Sequence, residues 1–320
     1  MKISFFDRIV TKFYFLILNP FSLLFEYIYR FPDKKYVKNF SKLTIKKNNF
    51  NNHNNEFLIE DLKKNGITHL KSFLNDKKIK ILKLNFDSAM YEIEHSTSSN
   101  LKFTPKSHFS IKVPYLEDEY LKDTKHFHTR NILKFNKIFL ELVCSDLLIE
   151  IATQYFQKEI FLNQIDSYRL CPIAKSKYSS FQWHHDGQGK KLNMMVLLTD
   201  VDCGGQKMTY LKGSHLKYRS FKECLNSRVS ETEVNQIYSN STFNHIFESI
   251  GKAGDVFIFD ANGIHSGNRS EGAIRDTIVI QFTAGRYLWS FDVPSNFKNS
   301  LNISDIGKSF IKKNIKINWI

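Results

Sequence analysis

Residues 253–270 read AGDVFIFDANGIHSGNRS, and the first half of that stretch decides the fold class. Residues 256–259 are a short apolar run of β-forming side chains, and Ala261, Asn262 and Gly263 close it with a turn. His265 follows after one more residue, where such a turn can set it at the mouth of a barrel. Working outward, similar short strands are predicted at 165–170, 192–198, 207–211, 255–260 and 277–282, with glycine-containing breaks between several of them. Upstream, residues 57–94 carry helical spacing, a stop at Gly66, a strand at 67–70 and a long helix capped by Asn75. Helices followed by a series of strands predict a mainly β fold, a β-sandwich or jelly-roll barrel braced by N-terminal helices. No fixed-period repeat is visible, which argues against solenoids and propellers.

The chain has 320 residues, 42% of them hydrophobic, enough for a sizeable core and against disorder of the whole. Its net charge of +14 would suit an acidic partner, but Lys, Asn and Ile are abundant from end to end. The excess therefore reads as compositional bias over a solvated surface and does not point to nucleic acid. Cys144, Cys171, Cys203 and Cys224 form no CxxC pair, which fits a reducing cytoplasm. Residues 13–31 are apolar with basic flanks, yet Asn19, Pro20, Ser22 and Glu26 interrupt the ~20-residue run that a spanning helix needs. Two readings of residues 1–35 stand: peripheral contact with a membrane surface, or a helix packed on the domain. Residues 36–56, rich in Asn and Lys, read as a linker, 57–290 as the main domain and 291–320 as a C-terminal tail.

Histidine placement carries the chemistry. In residues 181–187, FQWHHDG, His184 and Asp186 are two apart, so on an extended segment they project to one side and can share a metal. With His265 they make two imidazoles and one carboxylate, a facial triad that leaves positions open for Fe(II) to bind a bidentate co-substrate and oxygen. A closed structural zinc site would more often use cysteine. Arg275 opens the strand pattern 274–282, and a guanidinium at a barrel mouth needs an anionic partner, which the distal carboxylate of 2-oxoglutarate would supply.

Together with GGQKMTYLKGSH (204–215), KKNGITHLKSFLNDKKI (63–79) and Arg275, the motifs at 181–187 and 253–270 resemble the phytanoyl-CoA dioxygenase family of 2-oxoglutarate-dependent oxygenases. The resemblance spans residues 57–290 or so, in the family's order. It implies a double-stranded β-helix, iron held by His184, Asp186 and His265, and Arg275 as the 2-oxoglutarate anchor. The implied reaction uses molecular oxygen to oxidise a small-molecule or lipid-like substrate, hydroxylation by default, with release of succinate and CO2. Halogenation is disfavoured, since Asp186 fills the position that halogenases of this fold leave to chloride.

Bland readings stand beside these. His185 points away from Asp186 on a strand and belongs behind the ligands or toward substrate. His215 reads as turn architecture. Ser266 and Asn268 either bond the co-substrate carboxylate or cap the loop after His265. His126 and His128 alternate like strand ligands, without an obvious carboxylate, and read as surface or cleft. Residues 187–190, GQGK, lack the upstream glycine of a phosphate loop, and no GxSxG, HExxH or GxGxxG occurs. Two rival functions remain: a non-catalytic metal-binding barrel, and a basic protein that binds a membrane surface or a polyanion. Substrate choice is expected to lie in residues 97–130 and 217–244.

Overall fold

The helix, strand and helix expected at the start of the domain are present in that order. The computed structural model describes residues 52–96, 106–108, 111–113, 118–121, 126–129, 131–172, 182–186, 191–217, 228–239, 246–267, 272–284 and 290–320. Helix α1 (Asn52–Asn65) begins inside the segment read as a linker, buries Leu58, Ile59 and Leu62, and stops at Gly66. That glycine has φ +76°, a left-handed conformation that ends helices and that other residues rarely adopt. Strand β1 (Ile67–Leu70) follows, then helix α2 (Asp76–Ser96), which Asn75 caps by accepting the Lys78 N–H at 3.0 Å. Leu82, Phe86, Ala89 and Met90 share one face of α2 and are buried.

Strands β2 (Lys106–His108) and β3 (Ile111–Val113) form a hairpin, and β4 (Asp118–Leu121) pairs with β5 (His126–Thr129). Helices α3 (Lys137–Val143) and α4 (Asp146–Phe156) precede the strand-rich part. It comprises β6 (Ile160–Leu170), β7 (Lys191–Leu197), β8 (Met208–Leu211), helix α5 (Glu231–Ser239), β9 (Ile246–Glu248), β10 (Val256–Asp260), β11 (His265–Gly267) and β12 (Arg275–Ala284). The chain then forms β13 (Ser290–Val293), helix α6 (Asp305–Asn314) and β14 (Lys316–Trp319).

Two antiparallel sheets organise the molecule. The larger has the order β1-β10-β7-β12-β6-β5-β4, the smaller β11-β8-β9. Strand alternation sorts the side chains. Leu192, Met194 and Val196 of β7 and Ile278, Ile280 and Phe282 of β12 pack under the helices, in one cluster with Leu62, Phe86, Leu140 and Ile151. The opposite face of the larger sheet looks toward the smaller one. There Ile67, Met195, Leu197, Phe257 and Phe259 meet Met208 and Tyr210 of β8. Beyond this apolar half the same face turns polar, with Arg275, Thr277 and Gln281 on β12 and Gln164, Asp166 and Tyr168 on β6. β6 carries one extra residue, Asn163, at a bulge opposite Gln281 and Phe282.

On the helix side, Arg169 grips both oxygens of the buried Asp276 at 2.9 and 2.8 Å and also bonds Asp87, fastening α2 to the sheet. The residues read as a C-terminal tail are part of the body. β13 and β14 pair in parallel, and Phe291, Val293, Phe310 and Ile315 enter the helix-side core, because the lysines of α6 occupy only its outer face. Among the described residues no helix is long and apolar enough to cross a membrane. Residues 1–35 and the linker up to residue 51 lie outside the described residues.

Candidate metal centre

His184 and His265 are far apart in sequence and adjacent in space because their backbones exchange both hydrogen bonds, N–H to O at 2.9 and 2.8 Å. Residues paired in this way present their side chains to the same face, so the rings lie 4.3 Å apart between centroids. Asp186, two residues on, bonds the Ala261 carbonyl through its N–H at 2.9 Å and brings its carboxylate under both rings. Its Oδ1 lies 3.5 Å from His184 Nε2 and 3.7 Å from His265 Nε2. One ligand atom from each residue falls within 4.8 Å of the others, and no second such cluster occurs among the described residues.

The turn before His265 is held on every side. Tyr155 donates to the Asp260 carboxylate at 2.6 Å, and the Gly263 N–H to the Asp260 carbonyl at 3.0 Å. Ser214 accepts the Ile264 N–H at 2.7 Å while donating to the Leu211 carbonyl at 2.6 Å. A Cβ at Gly263 would stand 1.8 Å from the Tyr210 hydroxyl, so only glycine fits. His215 reaches the Lys63 carbonyl at 3.1 Å, and the Gly213 N–H reaches the Asn65 carbonyl, tying the end of β8 to the end of α1. His215 therefore serves turn architecture, as expected.

Both imidazoles are set up to give their Nε2 lone pairs. His184 Nδ1 lies 2.7 Å from the Gln182 carbonyl and His265 Nδ1 2.9 Å from the Gly263 carbonyl, in each case two residues back. A carbonyl only accepts, so each Nδ1 carries the proton and each Nε2 is free to coordinate. Burial, with the neighbouring His184, pushes His265 down to about 4 against the opposing pull of Asp186 and the Gly263 carbonyl, which favours the neutral ligand form. For His184 burial also disfavours the cation, but Asp186 and the Gln182 carbonyl outweigh it and raise the pKa. Burial disfavours the Asp186 anion too. His265, His184 and the Asn193 amide nevertheless hold its carboxyl well below the usual carboxylate range. Two imidazoles and one carboxylate, gathered with 31% of the Asp186 side chain still open to solvent, suit a divalent cation with free positions.

Placement of the other predicted residues varies. His185 is 1% exposed and stands apart from the cluster, as its register requires. Arg275 is buried at the start of β12, with Nη1 donating to the Gln206 carbonyl at 2.6 Å. Two residues on, Thr277 is fully buried on the same face, and its hydroxyl has no partner among the described residues. Ser266 follows His265 on β11 and so leaves the opposite face, while Asn268 lies outside the described residues. His128 is not at the surface, one of its two expected settings. It is buried, stacks on Tyr168 at 4.6 Å, and has a carboxylate beside it, Asp166 Oδ1 at 3.1 Å from Nε2. Sequence reasoning missed Asp166, Asn193, Gln206 and Gln281. Alternation on the predicted strands hinted at Asp166, Asn193 and Gln281, as polar residues where the pattern asks for apolar ones; nothing hinted at Gln206, which lies outside them.

The sequence matches no protein-family model and no curated protein. Among solved structures the chain is similar to SnoN, a non-heme alpha ketoglutarate dependent epimerase from nogalamycin biosynthesis, with 15% identity over 73% of this chain and 84% of that one and a TM-score of 0.51. It is similar to EctD from S. alaskensis with bound Fe, with 16% identity over 71% and 75% of the two chains and a TM-score of 0.54. A third is SnoK, a non-heme alpha ketoglutarate dependent carbocyclase, with 13% identity over 72% and 84% and a TM-score of 0.51. SnoN is also known in complex with Fe3+ and alpha ketoglutarate, and EctD with 2-oxoglutarate and 5-hydroxyectoine. At such identities the likeness is one of fold alone.

Proposed function

We propose that this protein is a non-haem iron oxygenase that uses molecular oxygen and 2-oxoglutarate to hydroxylate a small molecule. The observation that carries the reading is the triad itself: two Nε2 atoms and one carboxylate oxygen converge, with each imidazole fixed through its other nitrogen. When bound there, iron with 2-oxoglutarate and oxygen supplies the oxidising power, and the co-substrate leaves as succinate and CO2.

The chain supplies the rest. Arg275, steadied by the Gln206 carbonyl, anchors the distal carboxylate of 2-oxoglutarate, and the buried Thr277 hydroxyl is placed on the same face to donate to it. Gln281, six positions along β12 from Arg275, bonds Asn193, which touches Asp186. Met195, Leu197, Phe257 and Phe259 keep water from the opposite side. The substrate class favoured by His128, Asp166 and Tyr168 is polar, since a buried, hydrogen-bonded histidine and carboxylate would be poor company for an acyl chain. Within the oxygenases our reading is the phytanoyl-CoA dioxygenase family and its double-stranded β-helix, supported by the motifs at 181–187 and 253–270 and by the two-sheet architecture.

The test is succinate release. Purified protein reconstituted with Fe(II) under air should convert 2-oxoglutarate to succinate, slowly without substrate and faster with the right polar metabolite. His184→Ala, Asp186→Ala and His265→Ala should each abolish it. Failure of the wild-type protein to turn over 2-oxoglutarate with any candidate substrate, while still holding one metal per chain, would favour the non-catalytic barrel.

A further inference from the structure

We propose that Asn193, Gln281 and Asn163 form a directional amide relay that restricts Asp186 to ligation through one oxygen, and so keeps coordination positions open. This rests on the reading of the triad as an iron and 2-oxoglutarate site. Asp186 Oδ1 faces the two Nε2 atoms, while Oδ2 accepts the Asn193 amide at 3.0 Å. An ionised carboxylate only accepts, so Asn193 must turn its NH2 toward Asp186 and its carbonyl away. That carbonyl accepts the Gln281 amide at 2.7 Å, which fixes Gln281 in the same sense. The Gln281 carbonyl in turn accepts from Asn163 Nδ2. The relay ends at Asn163 Oδ1, buried and without a partner among the described residues.

Three observations argue that this is more than polar packing. Asn163 and Asn193 are 3% and 4% exposed, and buried amides cost free energy that the apolar half of the same sheet face avoids. Asn163 joins the relay only because the β6 bulge turns it and Gln164 to the same side; regular alternation would aim it at the helices. Every donor points toward the metal ligand, so the charge on Asp186 dictates the orientation of all three amides. Were both oxygens of Asp186 to bind a cation, the ion would compete with the buried Asn193 amide for Oδ2 and weaken that bond. The relay therefore favours one-oxygen ligation, which together with two imidazoles leaves room for a bidentate co-substrate and oxygen.

Co(II), visible by its absorption, is the probe, titrated at pH 8 into the full chain. Asn193→Ala should weaken Co(II) binding about 10–100-fold, and at saturating Co(II) it should bind 2-oxoglutarate about 10-fold or more weakly than wild type. The decisive pair is at Gln281, which touches no ligand. Gln281→Glu keeps the shape but cannot donate, so it turns the Asn193 carbonyl toward Asp186; Gln281→Met removes the bond without inverting anything. The relay requires the near-isosteric glutamate to weaken Co(II) binding more than methionine does, although its added negative charge would by itself tighten a cation; a role through charge or packing alone predicts the reverse. Wild-type binding by Asn193→Ala, or a milder Gln281→Glu than Gln281→Met, would overturn the relay and leave the proposed function standing. Should Asn193→Ala fail to fold, the Gln281 pair decides alone. If wild-type protein gives no Co(II) spectrum that His184→Ala removes, the metal reading fails and the relay with it.

Discussion

Residues 184 and 185 are both histidine, and the backbone alone separates their roles. His184 exchanges hydrogen bonds with His265 and faces the cluster, while His185 leaves the other side of an extended segment and is buried there. We expect His184→Ala to lose the metal outright and His185→Ala to retain one Fe(II) per chain with at most ~10–100-fold weaker affinity. Metal content after dialysis distinguishes them, and the reverse order would mean the motif is out of register. Arg275 can be tested as cleanly. Removing one partner of a desolvated charge pair costs about 2–5 kcal/mol, so Arg275→Ala should raise the 2-oxoglutarate requirement on the order of 30-fold or more, with iron binding nearly unchanged. Arg275→Lys should recover little, because a point charge cannot reproduce the planar fork. Identical succinate curves for wild type and Arg275→Ala would remove the co-substrate assignment. That His184, Asp186 and His265 converge was legible in the sequence because strand alternation and a turn bring them to one face. Asn193, Gln281 and Asn163 were not, since the Asn163 to Gln281 bond spans 118 residues and depends on a bulge that no local signal announces.

Elements were read best where composition and turn chemistry agreed. The strands expected at 207–211, 255–260 and 192–198 are Met208–Leu211, Val256–Asp260 and Lys191–Leu197. β6 starts five residues before its predicted beginning, because Asn163 and Gln164 interrupt an apolar run whose polar members face the cavity. Short strands also need clamps at their ends, and Asp255 supplies one. Its carboxylate accepts the Ser72 N–H at 2.8 Å and the Lys252 N–H at 3.0 Å, and pairs with His69 at 2.9 Å, holding a turn in which Ser72 has φ +50°. Burial disfavours this anion, yet these donors keep its pKa below the ordinary aspartate value. Because the folded-state pKa is the lower one, the stabilisation is fully present above about pH 4 and is lost as pH falls through the depressed folded value. Asp255→Asn should therefore cost about 2 kcal/mol in urea unfolding at pH 7 and progressively less below pH 4. A pH-independent difference would show that the charge is not what holds the turn.

At the scale of the whole molecule, the last thirty residues are structural. Phe291, Val293, Phe310 and Ile315 are all buried in the helix-side core, and each contributes about 1.5–3 kcal/mol on burial, a sum comparable with the net stability of a domain. A chain ending at residue 289 should not fold cooperatively, which thermal melts followed by circular dichroism would reveal as the loss of a transition. Trimming residues 1–50, by contrast, leaves α1 and everything after it, so the melt and Fe(II) binding should persist. If residues 1–35 meet membranes, that trimmed chain should also lose binding to anionic liposomes. A full-length protein that ignores such liposomes, with a trimmed form that aggregates, would instead mean that the segment packs on the domain.

The paired backbone of His184 and His265 has one more consequence. The spacing of the two imidazoles is set by hydrogen bonds of the chain and needs no ion to hold it. Such a site selects weakly among divalent ions of similar size, and copper or zinc would outbid iron wherever they are free. Correct metallation then depends on which ions the surroundings offer as the chain emerges, and a preparation exposed to trace zinc would be well folded, fully loaded and inert.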